Sequence, residues 1–101
     1  MSLRILSVVH EESVRIAQYY EQRQAGLGVR FFDSLEKAFE DIAANPAGFP
    51  RLESISTERT IRRVILNRVP YMVVYEIVAS ECLVFAVRHV SQEPPHDLAE
   101  D

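Results

Sequence analysis

Apolar residues run from Leu3 to Val8, interrupted by Arg4 and Ser7, which predicts a short strand. His10-Glu11-Glu12 then opens a helical pattern, with acids in the first turn where the helix dipole favours them. Ile16, Ala17 and Tyr20 share one helical stripe, flanked by Val14, and Gly26 is the expected stop after this helix. A second helix follows. Phe32, Leu35, Phe39 and Ile42 recur at the helix period, and Asn45-Pro46 ends the pattern, because a residue before proline is pushed out of the α region. Two helices joined through Gly26-Leu27-Gly28 predict an antiparallel hairpin whose apolar stripes need a sheet to cover.

Pro46 to Arg59 reads as a loop punctuated by Pro46, Gly48 and Pro50, long enough to suggest a functional role. Three strands are predicted after it, Thr60–Leu66, Tyr71–Val78 and Cys82–Val90. In the second of these, Tyr71, Val73, Tyr75 and Ile77 face one way and Met72, Val74, Glu76 and Val78 the other. The third is almost wholly apolar, as a central strand covered on both faces would be. Val78-Ala79-Ser80-Glu81 lacks the glycine of a tight hairpin turn. The order β-α-α-β-β-β makes this an α+β domain, a helical hairpin on a mainly antiparallel twisted sheet. One domain is expected over residues 1–93, with an acidic, frayed tail over 94–101.

The 101 residues, 48% hydrophobic and 26% charged, describe a single soluble globular domain. The first residues are too short for a signal peptide, and no apolar run approaches the ~18 residues that span a bilayer. A single cysteine, Cys82, excludes an internal disulfide and suits a reducing cytoplasm. The net charge of −4 argues against a general nucleic-acid binder. Its distribution says more. Lys37 is the only lysine, and Arg51, Arg59, Arg62, Arg63 and Arg68 crowd one segment against Glu53 and Glu58. Beyond Arg88 only acids follow, Glu93, Asp97, Glu100 and Asp101. Clustered guanidiniums suit carboxylates and phosphates, so a specific anionic partner is indicated.

Other chemistries find less support. His10, His89 and His96 share no metal-ligand spacing, and no cofactor motif is present: Gly26-Leu27-Gly28 lacks a Walker lysine and a full dinucleotide fingerprint. Cys82 opens an apolar strand, as a buried small hydrophobe does, and no serine sits in a nucleophile elbow. The acids lie mainly on helix faces, as Glu11/Glu12, Glu36/Glu40 and Asp41. What remains is a basic and aromatic cluster of Arg62, Arg63, Arg68, Tyr71, Tyr75 and Arg88 on adjacent strands, expected on the exposed side of the sheet. Alternation places Arg62 and Arg63 on opposite faces. Arg63 shares its face with Ile61 and Ile65 and is a candidate for a half-buried salt bridge, and Tyr75 is a candidate for packing.

The motif order resembles RelE/ParE-type toxins, also called plasmid stabilisation proteins. The resemblance covers residues 4–94. It runs through His10-Glu11-Glu12, Ala17-Gln18-Tyr19-Tyr20-Glu21, Gly26-Leu27-Gly28-Val29-Arg30-Phe31, Asn45-Pro46 and Phe49-Pro50-Arg51-Leu52. It is most specific in Ile61-Arg62-Arg63, Arg68-Val69-Pro70-Tyr71, Val74-Tyr75 and Val84-Phe85-Ala86-Val87-Arg88-His89. It implies the toxin half of a type II toxin–antitoxin pair with the β-α-α-β-β-β fold. The implied partners are a cognate antitoxin, DNA gyrase or the ribosome as target, and a second toxin copy. Arg62, Arg63, Arg68, Tyr71, Tyr75, Arg88 and His89 are the implied contact residues.

Two branches of that family differ in chemistry. RNA-cutting members resemble one another in a basic residue after the tyrosine that opens the third strand, in basic residues past the last strand, and in a C-terminal aromatic. Here those positions read Met72, Val90-Ser91-Gln92 and Leu98. Cleavage needs cations where charge develops on phosphate, and these side chains supply none. The expectation is therefore a ParE-like toxin without nuclease activity. Its ParE-like relatives commonly end in an arginine-rich turn, proline and tryptophan, whereas this chain has His89-Val90-Ser91-Gln92-Glu93-Pro94-Pro95 and no tryptophan. A ribosome-dependent endoribonuclease and a degenerate, non-toxic antitoxin-binding module are the alternatives.

Overall fold

In the computed structural model, which describes residues 1–52 and 59–91, the first strand is shorter than the apolar run suggests. β1 spans Ser2–Ile5 and α1 spans Ser7–Arg23. Leu6 stays extended and donates its N–H to Val84 O, and Val9 N–H already returns to Leu6 O. Val8 and Val9 thus form the first helical turn, with Val9 buried and Val8 outside, and His10-Glu11-Glu12 falls after the first turn.

The second helix, α2, spans Leu27–Ala44, and its buried stripe is Phe31, Leu35, Ala38 and Ile42. Phe32, expected in the core, is 40% exposed, and Phe39 packs only at the core's edge. One residue of slip rotates a helix position by about 100°, so the Phe31-Phe32 doublet alone does not show which ring points inward. Gly26 does not stop α1, which is capped by Gln24. It sits at the head of α2 with φ of 93°, where a side chain would be strained. At Gly28 an added Cβ would meet Ala17 O at 2.9 Å, so the absent side chain sets how closely the two helices cross.

A short 3₁₀ turn, Pro46–Gly48, leads on, and Arg51 bridges to Arg62 in β2 (Ile61–Ile65). β3 spans Tyr71–Val78 and β4 spans Glu81–His89. The sheet order is β1-β4-β3-β2, with β1 parallel to β4 and the other pairs antiparallel. β4 is central, as its apolar composition demands. A bulge opposite Val74/Tyr75 leaves Phe85 unpaired, and Val74 opposes Ala86 while Tyr75 opposes Val84. Val73, Tyr75, Cys82, Val84 and Val87 therefore join the helical stripes in the main core. Ile61, Met72, Val74, Phe85 and Ala86 form a second cluster on the opposite face. Among the described residues no helix is long and apolar enough to cross a membrane. The predicted tail, 94–101, lies outside the described residues, as does 53–58 of the predicted loop.

Candidate functional site

Register decides the sidedness of the two adjacent arginines. Arg62 stands opposite Tyr75, on the helix side, and Arg63 opposite Val74, on the other face. Arg62 Nη1 donates to Phe49 O at 2.6 Å, and the Tyr75 hydroxyl donates to Pro46 O. These two side chains satisfy carbonyls of the turn that follows α2, where the helix has run out of backbone donors. Tyr75 is fully buried. Burial pushes its phenol up to about 12, although nearby Arg62 pulls the other way. Among the described residues the buried Arg62 Nε has no hydrogen-bond partner. Neither residue stands on an exposed patch.

The opposite face holds Arg63, while Arg88, across from Met72 in register, stands where the end of β4 meets α1. The expected salt bridge is made here by a different arginine. Arg59 Nε meets Glu76 Oε2 at 2.9 Å and Arg59 Nη2 meets Oε1 at 2.5 Å, a forked pair on a carboxylate residue only 8% exposed. Arg63 has no acidic partner among the described residues. Arg88 lines an open cleft of about 440 Å³ with Glu12, Ile16, Tyr71 and Val87.

Tyr71 and His89 pair across β3 and β4 on the helix side, their rings 5.2 Å apart and edge to face. Tyr71 also meets Phe31 edge on at 5.9 Å, and Phe31 stacks with Tyr20 at 6.1 Å. The row carries the aromatic core out to the edge of the fold. Burial raises the phenols of Tyr20 and Tyr71, and for Tyr71 the neighbouring Tyr19 and Glu12 add to it. His89 Nδ1 accepts the Ser91 backbone N–H at 3.1 Å, which puts the proton of a neutral ring on Nε2.

Arg68 lies apart from all of these, in the turn between β2 and β3. Leu66 N–H reaches Tyr71 O and Tyr71 N–H reaches Val69 O, a tight path that leaves Arg68 at φ of 68°. The turn leans on α2, where Ser34 Oγ donates to Asn67 O at 3.0 Å. Between them opens a cleft of about 550 Å³, lined by Tyr20, Leu27, Arg30, Asp33, Ser34, Asn67, Arg68 and Val69. The strand pattern does not point to Arg30 or Asp33. The signal for them is helical, since residues 27, 30 and 34 share a face beside the Phe31 stripe.

The candidate residues thus fall into four places: Arg62 and Tyr75 beneath the 46–49 turn, Arg63 on the outer face, Arg88 at the cleft beside α1, and Arg68, Tyr71 and His89 towards the β2–β3 turn.

The family model described as the ParE toxin of the type II toxin–antitoxin system parDE matches residues 4–94. No curated protein matches the sequence. A solved structure titled as a chromosomal ParDE toxin–antitoxin system from P. aeruginosa is similar in fold, with a TM-score of 0.65 and 16% identity. The match covers 88% of this chain and 95% of that one.

Proposed function

Since the chain belongs to the ParE toxin family of type II toxin–antitoxin systems, we propose that it acts in the cytoplasm by binding a macromolecular target such as DNA gyrase, without cleaving RNA, and that a cognate antitoxin neutralises it. In this reading Arg63, Arg68 and Arg88, with Tyr71 and His89, make the contacts, and Arg62 and Tyr75 act through the 46–49 turn that they hold.

The observation that carries the reading is Met72. It is 2% exposed and packs with Ile61, Val74 and Phe85 at the position where RNA-cutting members present a cation. A buried thioether offers nothing to a developing phosphorane charge. A second reading, RNA cleavage on the ribosome, draws support from one place only, the cleft where Glu12, Tyr71 and Arg88 meet. A carboxylate, a phenol and one guanidinium are the minimum for moving a proton beside a phosphate.

Purified protein added separately to a gyrase supercoiling reaction and to translating ribosomes tests both. Loss of supercoiling with intact transcripts is expected. Cleaved transcripts with normal supercoiling would transfer the assignment to the second reading. If neither reaction responds while the neighbouring gene product still binds, the chain is a non-toxic antitoxin-binding module and the toxin reading falls.

A further inference from the structure

Most cations of the chain are already engaged within the fold. Arg4, Arg15, Lys37 and Arg59 sit in ion pairs with Glu81, Glu12, Asp41 and Glu76. Arg23 lies over the Tyr19 ring, and Arg51, Arg62 and Arg88 donate to backbone carbonyls. Among the described residues the guanidiniums of Arg30, Arg63 and Arg68 have no such contact. Two of these three line one cleft, although they come from different elements and lie far apart in sequence.

Two guanidiniums and one carboxylate, Asp33, leave this lining with a net positive charge of one. An anion that enters adds a favourable contact that the fold itself does not supply, although water and salt screen much of it at exposed groups. The rest of the lining narrows the anion. Leu27, Val69 and the Tyr20 ring give the cleft an apolar side, and Asp33 adds a negative charge. A phosphate polymer would bring one charge per nucleotide past Asp33, on a chain of net charge −4, for only two guanidiniums, and would leave the apolar side uncovered. A single carboxylate next to an apolar side chain matches the two guanidiniums and the apolar side, and only Asp33 opposes it.

We propose that the cleft between α2 and the β2–β3 turn receives an acidic and apolar segment of the antitoxin, its carboxylate held between Arg30 and Arg68 and its apolar side chain laid on Leu27 and Val69. The proposal rests on the toxin–antitoxin reading for the identity of the partner, and on the cleft for its chemistry.

The test has two arms. In the first, affinity for the protein encoded by the neighbouring gene is measured for the wild type and for Arg30→Gln, Arg68→Gln, Asp33→Asn and Lys37→Gln. Each arginine variant should lose about ten- to a hundred-fold. Asp33→Asn should gain a few-fold, and Lys37→Gln, the same charge change elsewhere on α2, should leave affinity unchanged. Equal affinities across the arginine variants would overturn the site. In the second arm, ¹⁵N-labelled protein is titrated with a blocked peptide of alternating glutamate and leucine, with its glutamine–leucine counterpart, and with a short single-stranded RNA. Amide shifts at Leu27, Arg30 and Val69 with the acidic peptide alone support the proposal. Equal shifts with the glutamine peptide, no shifts, or shifts with RNA alone would overturn it. If the neighbouring protein fails to bind the wild type, the antitoxin reading fails, and the peptide arm still decides the cleft.

Discussion

The β2–β3 pair has two ends, and they use arginine in opposite ways. At one end Arg59 and Arg62 are tied into the fold, the first on Glu76 and the second on Phe49 O beside the Tyr75 hydroxyl. At the other, Arg68 faces Arg30 across a hollow with no partner for either among the described residues. The residue type is the same and the distance along the chain is short. What differs is whether the backbone or an acid already waits for the guanidinium. A chain that leaves α2 at Asn45 and turns through Pro46–Gly48 exposes carbonyls that something must satisfy, and Arg62 and Tyr75 meet that demand. The β2–β3 turn closes on its own backbone hydrogen bonds and asks nothing of Arg68. The comparison makes a division that can be measured: at the closed end substitutions should cost stability, and at the open end they should cost binding.

The largest expected effect is at the closed end. Arg59→Ala strands the Glu76 carboxylate in a largely buried position, which should cost about 3–5 kcal/mol, read from the urea midpoint. A midpoint equal to wild type would mean that the pair is solvated and would erase the contrast between the ends. Arg62→Ala removes a charge-assisted bond to Phe49 O and should cost about 1.5–3 kcal/mol.

Tyr75→Phe should cost about 1 kcal/mol near neutrality, and its effect has a pH signature. The phenol moves from an ordinary 10.0 to about 12 in the fold, so the neutral form is the one that the fold favours. Its contribution is complete below pH 10 and is lost as pH rises through 12. Wild-type stability should therefore fall across that window, and the Tyr75→Phe protein should lack this component. Identical alkaline profiles for the two proteins would show that another group titrates.

How much of this division the sequence carries depends on the period being read. Two-residue alternation sorted Tyr71 through Val78 onto the correct faces, and separated Arg62 from Arg63, because a strand allows only two sides. It did not say which side carries the helices, since that depends on packing that no local pattern encodes. The helix period was less forgiving: Phe31 and Phe32 differ by one step, and the buried ring is Phe31. Val8-Val9 reads equally well as strand or helix at that length, and the Leu6 pairing with Val84 settles where the strand ends. The closed end was illegible because its partners are carbonyls, which every residue has. Arg30 was missed because it meets Arg68 only after the hairpin has folded back on the β2–β3 turn.

At the open end the stability effects should be small. Arg30→Gln and Arg68→Gln should each change folding free energy by less than about 0.5 kcal/mol, since both are exposed and unpaired. Arg68→Gly should raise stability by about 0.5–1 kcal/mol, because glycine accepts a φ of 68° at little cost while arginine does not. A destabilised Arg68→Gly protein would mean that the side chain does hold the turn, and Arg68 would move to the closed class.

The smallest expected effect concerns what positions Arg30. α2 begins at Leu27, a residue of the cleft, and its first N–H groups have no helical acceptor. Glu21, at the end of α1, reaches over and takes them: both of its oxygens lie 3.0 Å from Gly26 N, and Oε1 lies 2.9 Å from Gly28 N. Those bonds favour the charged carboxylate and hold it below its ordinary 4.5. The linkage then has a fixed sign. Whatever Glu21 adds to the hairpin is complete above pH 4.5 and disappears as pH falls through the lowered value. Because the carboxylate is exposed, the change in global stability should be slight, and amide exchange is the measurement that resolves it. At neutral pH, Glu21→Gln should speed exchange at Gly26 and Gly28, with the nearby turn at Asn67 and Val69 unchanged. Lowering the wild type below the folded value should reproduce the same pattern. If exchange at Gly28 is identical in the two proteins at pH 7, the start of α2 is held by the crossing at Ala17 alone, and the Arg30 wall of the cleft owes nothing to Glu21.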